Sequence, residues 1–184
     1  MKRRVLFLLT AGALAGCAAP QAHYYQLAAM PGAVRGGTGL HIGVRSVGLP
    51  SALAQTGLPQ PGSAYELNTY PNDLWAASLA DMLQSTMVQN LSQRLPGDVV
   101  LADGGAIGAT PDLYVEINIL HFAPDQSGNV TLQAQLATRH ATAQDFTVRD
   151  FTATAPGGTA PESLVAVMST LWGQAADTLA AILP

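Results

Sequence analysis

Few residues in this 184-residue chain could do chemistry: four histidines, twelve carboxylates and a single cysteine. His23, His41, His121 and His140 form no H-x-x-x-H or H-E-x-x-H pair, the spacings that put two imidazoles on one helix face around a metal. His41 and His121 fall within strand patterns and read as structural or surface residues. No G-x-S-x-G elbow is present, so a serine nucleophile has nowhere to sit. Gly37-Thr38-Gly39 precedes a strand, lacks a third glycine and opens no helix, so it fails as a dinucleotide fingerprint. Gly104, Gly105 and Gly108 lack the Lys-Ser/Thr of a phosphate loop. Glu116 on a strand and Asp81 on a helix have no spacing that fixes an acid–base pair, and both read as solvated polar positions. The expectation is a binding module with no catalytic residue, no cofactor and no metal.

Cys17 is different. It follows Lys2, Arg3 and Arg4, the apolar run Val5 to Ala13, and Leu14-Ala15-Gly16. A basic start, a short hydrophobic core and small residues before the cut mark a secretory signal, and the run is too short for a membrane-spanning helix. Leu14-Ala15-Gly16-Cys17 resembles the bacterial lipobox, which implies cleavage before Cys17 and acylation of its thiol and new amino terminus. Two or three acyl chains hold a protein on a bilayer essentially permanently, each buried CH₂ contributing about 0.8 kcal/mol. Ala18 in place of Asp favours export to the outer membrane in the sorting pattern this resembles. The chain therefore divides into a leader, 1–16; an acylated cysteine and short tether, 17–22; and one domain, 23–184. The five tether residues reach roughly 17 Å when extended, so the domain must stay close to its membrane.

Removing Lys2, Arg3 and Arg4 with the leader leaves five arginines, no lysine and twelve carboxylates, a net charge of −7. That excludes phosphate-neutralising contact with nucleic acid and polybasic docking on anionic lipid. With Cys17 acylated no disulfide is available, and the domain must stand on packing. Its length suits a single core.

Alternating apolar residues predict strands at His23–Ala28, Leu40–Arg45, Tyr65–Tyr70, Val99–Leu101, Leu113–Ile119 and Val130–Leu136. A further strand near Phe146–Thr154 changes parity between Val148 and Phe151, which predicts a bulge. Asn72 or Asp73 caps a predicted helix carrying Trp75, Leu79, Met82, Leu83, Met87, Leu91 and Leu95 on one face, stopped by Pro96-Gly97. Thr159-Ala160-Pro161-Glu162 reads as a capping box before a second helix striped by Leu164, Met168, Leu171, Trp172, Ala175, Leu179 and Ile182. The fold class is α+β: a two-layer sandwich, with a largely antiparallel sheet carrying two long amphipathic helices on one face.

Taken in order, several segments carry a resemblance. They are Tyr24-Tyr25-Gln26-Leu27 soon after the lipobox, Ile42-Gly43-Val44-Arg45-Ser46-Val47 leading into Leu49-Pro50, Asp73-Leu74-Trp75-Ala76-Ala77-Ser78-Leu79, Asn90-Leu91, and Leu113-Tyr114-Val115-Glu116-Ile117. The chain resembles the PqiC (YmbA-like) family of ABC-type transport auxiliary lipoproteins, subunits of membrane-integrity-associated transporters. Ser51 to Gln55 are neutral where the family often places an aromatic and a basic residue, and Leu74 stands where it tends to carry Arg. The resemblance implies an outer-membrane lipoprotein of an MCE-type intermembrane lipid transport system, facing the periplasm, docking a periplasm-spanning MCE-domain protein, and in some members forming a homo-oligomeric ring. Leu49, Pro50 and Trp75 are the candidate interface residues, with core packing the competing reading for Trp75. Two alternatives are a lipoprotein activator of a cell-wall synthase, which the short tether disfavours, and a lipid-anchored periplasmic hydrolase, for which no nucleophile is visible.

Overall fold

A computed structural model of the chain describes residues 20–63, 65–143 and 145–184. The expected leader and Cys17 lie outside the described residues. The elements, in chain order, are β1 (His23–Tyr25), β2 (His41–Val44), a 3₁₀ turn (Ser51–Ala54), β3 (Gly57–Pro59), β4 (Thr69–Trp75), α1 (Leu79–Arg94), β5 (Val99–Ala102), β6 (Leu113–Pro124), β7 (Asn129–His140), β8 (Thr147–Pro156) and α2 (Pro161–Ile182).

They make an α+β sandwich. One sheet has the order β5-β2-β6-β7-β8, and a smaller one has β1-β4-β3. The long strands β6, β7 and β8 pair antiparallel, while β2 pairs parallel with both β5 and β6. Parallel neighbours need a crossover, and α1 lies on the path from β2 to β5. Val115, Ile117, Ile119, Val130, Leu132 and Leu136 point from the large sheet into one core with Leu83, Met87, Leu91, Met168, Leu171 and Trp172 of the helices. The Trp172 indole, wholly buried, donates its Nε1–H to the Leu83 carbonyl at 3.1 Å, so its polar edge is satisfied in an apolar setting.

The predicted helix boundary near Asn72 is wrong. Residues 69–75 form β4, and α1 begins only at Leu79, with Ser78 as N-cap. Asp73 acts in strand pairing instead, its Oδ1 lying 3.1 Å from the Tyr25 hydroxyl and 3.2 Å from His23 Nδ1 across the β1–β4 ladder. Residues 65–68, predicted as part of a strand, belong to the hairpin connection before β4. The expected capping box does not form either: Ala160 is the N-cap of α2, and Pro161 occupies the first turn. The Thr159 carbonyl accepts from the Tyr70 hydroxyl, which ties β4 to the start of α2. The bulge lies in β6, between Ile119 and His121; β8 keeps unbroken register with β7.

Between β1 and β2 the chain crosses the helix pair as a strap. Ala28 N–H donates to Ser169 Oγ, Met30 N–H to Asn90 Oδ1 at 2.7 Å, and Arg35 N–H to the Arg94 carbonyl. Asp98 Oδ1 then receives the amides of Thr38, Gly39 and Leu40. Arg94, 1% exposed, is the hub: its Nε meets Asp177 Oδ1 at 2.6 Å, and its Nη atoms donate to the carbonyls of Met30, Asn90 and Gly173. Gly32 is required here, because a Cβ on it would lie 2.2 Å from the guanidinium carbon.

The domain has two poles. At one, the β6–β7 turn, the end of β8 and the start of α2 meet, with Gly157 N–H donating to the Gly128 carbonyl. At the other lie the starts of β2, β5 and β6, where His41 pairs with Val99 and Ile42 with Leu113. The turn at the first pole is held by Asp125, whose Oδ1 accepts the amides of Ser127 and Asn129 at 2.8 and 2.9 Å. These bonds favour the ionised form, so the carboxyl pKa is held below its ordinary value of 3.8, led by the Asn129 amide. A depressed pKa contributes stability above the unfolded value and loses it as pH falls through the folded one. The Ser127 and Asn129 amide resonances should therefore titrate together with a midpoint below 3.8, and Asp125→Asn should abolish that titration.

Candidate docking surface

The histidines stay apart. His23 faces Asp73, His41 Nδ1 lies 3.7 Å from Asp112, and His121 and His140 are near opposite ends of the β6–β7 ladder. Among the described residues no group of three or more His, Cys, Asp or Glu could hold a metal ion. Glu116 has no carboxylate partner; it lies between two arginines, and Asp81 sits in the first turn of α1.

Helices cover one side of the large sheet, and the other side is open. There Arg45 and Arg139 stand over the Tyr114 ring, with guanidinium carbons 4.5 and 5.4 Å from its centroid. Glu116 Oε1 accepts from Arg139 Nη2 at 3.4 Å and forms an ion pair with Arg45 Nη1 at 3.1 Å, and Asp103 approaches Arg45 Nε at 3.4 Å. Such half-exposed pairs contribute roughly 0–1 kcal/mol each, and cation–π contacts at exposed sites about 0.5–1 kcal/mol. The cluster thus orients two arginines and neutralises them, leaving no cationic patch. Beside it runs a groove of about 360 Å³ lined by Ser46, Gly48, Asn118, Gln135, Ala137 and Val148. Polar side chains pair with one another across these strands, Asn118 with Gln135 in the groove and Thr131 with Thr154 further along β7 and β8. Chemically this is a wet, hydrogen-bonding face that can meet another protein but offers no activated nucleophile.

A second groove, of about 470 Å³, opens where the β3–β4 hairpin folds over the far end of β6, lined by Pro50, Leu53, Tyr65, Leu67, Leu120 and Pro124 among others. Of the residues singled out from sequence, Pro50 lines this groove and Leu49 packs half-buried against the core beside it. Trp75, 5% exposed, does not join them. As the buried end of β4 it packs into the core, and its backbone N–H donates to the Thr56 carbonyl. The three candidates therefore form no common surface. The exposed Tyr65, Leu67 and Leu120 went unforeseen because Tyr65 and Leu67 alternate like a half-buried strand. The adjacent pair Ile119-Leu120, which breaks the β6 alternation at the bulge, was the available signal.

The domain is thus a two-layer α+β sandwich with an open polar sheet face and a largely apolar groove under its β3–β4 hairpin. Residues 25–180 match the family described as the ABC-type transport auxiliary lipoprotein component, and the chain belongs to it. It is 29% identical over 133 residues to the intermembrane transport lipoprotein PqiC of Escherichia coli strain K12, covering 69% of each chain. The Shigella flexneri protein of the same name matches equally. The fold is shared with a crystal structure of an uncharacterised protein at TM-score 0.75 and 24% identity, covering 88% of this chain and 98% of that one. It is shared also with protein XCC0632 from Xanthomonas campestris at TM-score 0.71 and 18% identity, covering 86% and 93%.

Proposed function

We propose that the protein is acylated at Cys17, is held at the outer membrane facing the periplasm, and serves an MCE-type intermembrane lipid transport system as the docking point for its periplasm-spanning MCE-domain partner. The observation that carries this reading is how early the fold takes hold of the chain. His23 is already paired with Asp73, and the strap from Ala28 to Leu40 is pinned to both helices and to Asp98. The five residues between Cys17 and His23 span roughly 17 Å at most. A body held that close cannot cross the periplasm, so its partner must come to it. The likeness to intermembrane transport lipoproteins supports the transport setting.

The open sheet face is the surface we assign to the partner, with Leu49 and Pro50 at its border. Its paired arginines give direction without a strong field, and its groove admits side chains or a strand. Trp75 acts through packing, fixing β4 against α1. The acylated protein isolated from its native host should co-purify with an MCE-domain protein of the same system, and changing Gln135 and Asn118 together to arginine should weaken that recovery. Consistent recovery of a cell-wall synthase with no MCE-domain protein would overturn the reading.

A further inference from the structure

We propose that the tip of the β3–β4 hairpin is a second foothold on the lipid bilayer, with Tyr65 and Leu67 resting in the interfacial region of the membrane that holds the anchor. This rests on the acylated Cys17 of the proposed function.

The direction in which the chain enters the fold carries the inference. β1 runs parallel to β4, with His23 opposite Asp73 and Tyr25 opposite Trp75. Residues before His23 therefore leave the sheet on the Thr69 side, where β4 emerges from the hairpin. On the other edge of β4, Pro59 pairs with Thr69 and Gln60 N–H donates to the Asn68 carbonyl, so residues 61–63 and 65–67 lie at the tip. Tether and tip thus point the same way from one three-stranded sheet. Cys17 is six residues before His23 and lies within about 20 Å of it. Any bilayer that holds Cys17 is within reach of the tip.

The tip has the composition this position needs. Tyr65 is 97% exposed and Leu67 44%, and Leu120, 53% exposed, stands across the groove from them. Tyr24, also exposed, lies on β1 close to where the tether enters. Tyrosine suits a membrane–water boundary, its ring in the apolar layer and its hydroxyl at the headgroups. From Gly57 to Thr69 the only charged residue is Glu66, with no Lys or Arg. Glu66 points a charge outward between Tyr65 and Leu67 and Asp125 lines the same groove, so with no cation in the hairpin the contact rests on the tyrosine and leucine and gains nothing from anionic lipid. It also orients the body. The hairpin lies at the pole of the β6–β7 turn, so β6, β7 and β8 rise from the membrane and their open face looks sideways, clear of the lipid.

The test uses the full-length acylated protein in vesicles of phosphatidylcholine and phosphatidylethanolamine with brominated acyl chains. The native Trp75 and Trp172 are buried and form a constant background. Tyr65→Trp, or Leu67→Trp as a second reporter, places an indole at the tip; Val99→Trp places one at the opposite pole, at a site 46% exposed. The indole at position 65 or 67 should be quenched by brominated lipid at least threefold more than that at 99, with little change between low and high salt. Equal quenching at 65, 67 and 99 in protein that floats with the vesicles overturns the foothold while the anchor stands. Protein that does not float overturns the anchor and the foothold together. An indole at 65 that becomes shielded only on adding the MCE-domain partner, or only at high protein concentration without vesicles, assigns the tip to that partner or to a second copy and overturns the lipid assignment.

Discussion

Cys17→Ser is expected to leave a folded domain that no membrane retains. The substitution removes the only thiol in the chain, and it is made with residues 1–16 exchanged for an ordinary secretory leader, so that the apolar run Val5–Ala13 is still cut away and cannot itself hold the protein. Among the described residues nothing else is equipped to hold the body. No helix among the described residues is long and apolar enough to cross a bilayer, and the sequence after the leader has no lysine and a strong acidic excess. One acyl chain alone gives marginal binding, on the order of 10⁴ M⁻¹, whereas two or three hold nearly irreversibly. A hairpin tip offering one tyrosine and one leucine falls far below either. Fractionation should therefore move the protein from almost entirely membrane-bound to almost entirely soluble, with an unchanged circular dichroism spectrum and unfolding midpoint. Recovery of MCE-domain partner should fall as well, because a short tether gives its two ends a high effective concentration that free protein lacks. A variant still sedimenting with membranes would mean that the anchor lies elsewhere, as would a wild-type Cys17 thiol that reacts with an alkylating reagent.

The parts of this fold legible in the sequence are those where one local period governs a long run. α2 keeps its helical stripe from Leu164 to Ile182, and β6 and β7 alternate cleanly until the bulge at Leu120. β4 was hidden for the opposite reason. Pro71-Asn72-Asp73 has the chemistry of a helix cap, and Trp75 stands four residues before Leu79, a helical spacing by coincidence. What makes residues 69–75 a strand is pairing with β1, some fifty residues earlier, and with β3; neither leaves a local trace. Trp75 misled for the same reason: it looked like a helix-face residue and is the buried end of a strand, where the core-packing reading places it. Arg94 could have been found. Leu83, Met87, Asn90 and Arg94 follow one another at helical spacings along a single face, so two polar residues sit on a stripe otherwise destined for the core. The partners they meet, Met30 on the strap and Gly173 on α2, are far away in sequence, and no spacing rule joins them.

Arg94→Ala is expected to destabilise the domain by about 3–5 kcal/mol, the low end of what losing three hydrogen bonds from a charged donor costs at about 1.5–3 kcal/mol each. For a chain of this size that lowers the melting temperature by roughly 6–20 °C. The cost does not come mainly from Asp177, which is half-exposed and can turn to water. It comes from the carbonyls of Met30, Asn90 and Gly173, which lose a charged donor in a place where the guanidinium admits almost no solvent. Three expectations separate this account from simple packing. Arg94→Met fills much of the same volume, yet should recover little, because the Met30 carbonyl loses its guanidinium donor and those of Asn90 and Gly173 keep only their helical bonds. Arg94→Lys should also fall short, since one ammonium cannot copy a planar fork aimed at four acceptors. Asp177→Asn should cost least, as its amide oxygen can still accept from Nε. The damage should spread along the strap, because Arg94 holds it twice, through its side chain at Met30 and through its carbonyl at Arg35. Urea unfolding gives the ranking, and amide exchange at Met30 and Arg35 should quicken before global unfolding in the Ala and Met variants. An Arg94→Met protein within about 1 kcal/mol of wild type would show that the hub's hydrogen bonds contribute little beyond their volume. The strap between β1 and β2 would then be held chiefly by Leu27, Ser169, Asn90 and Asp98.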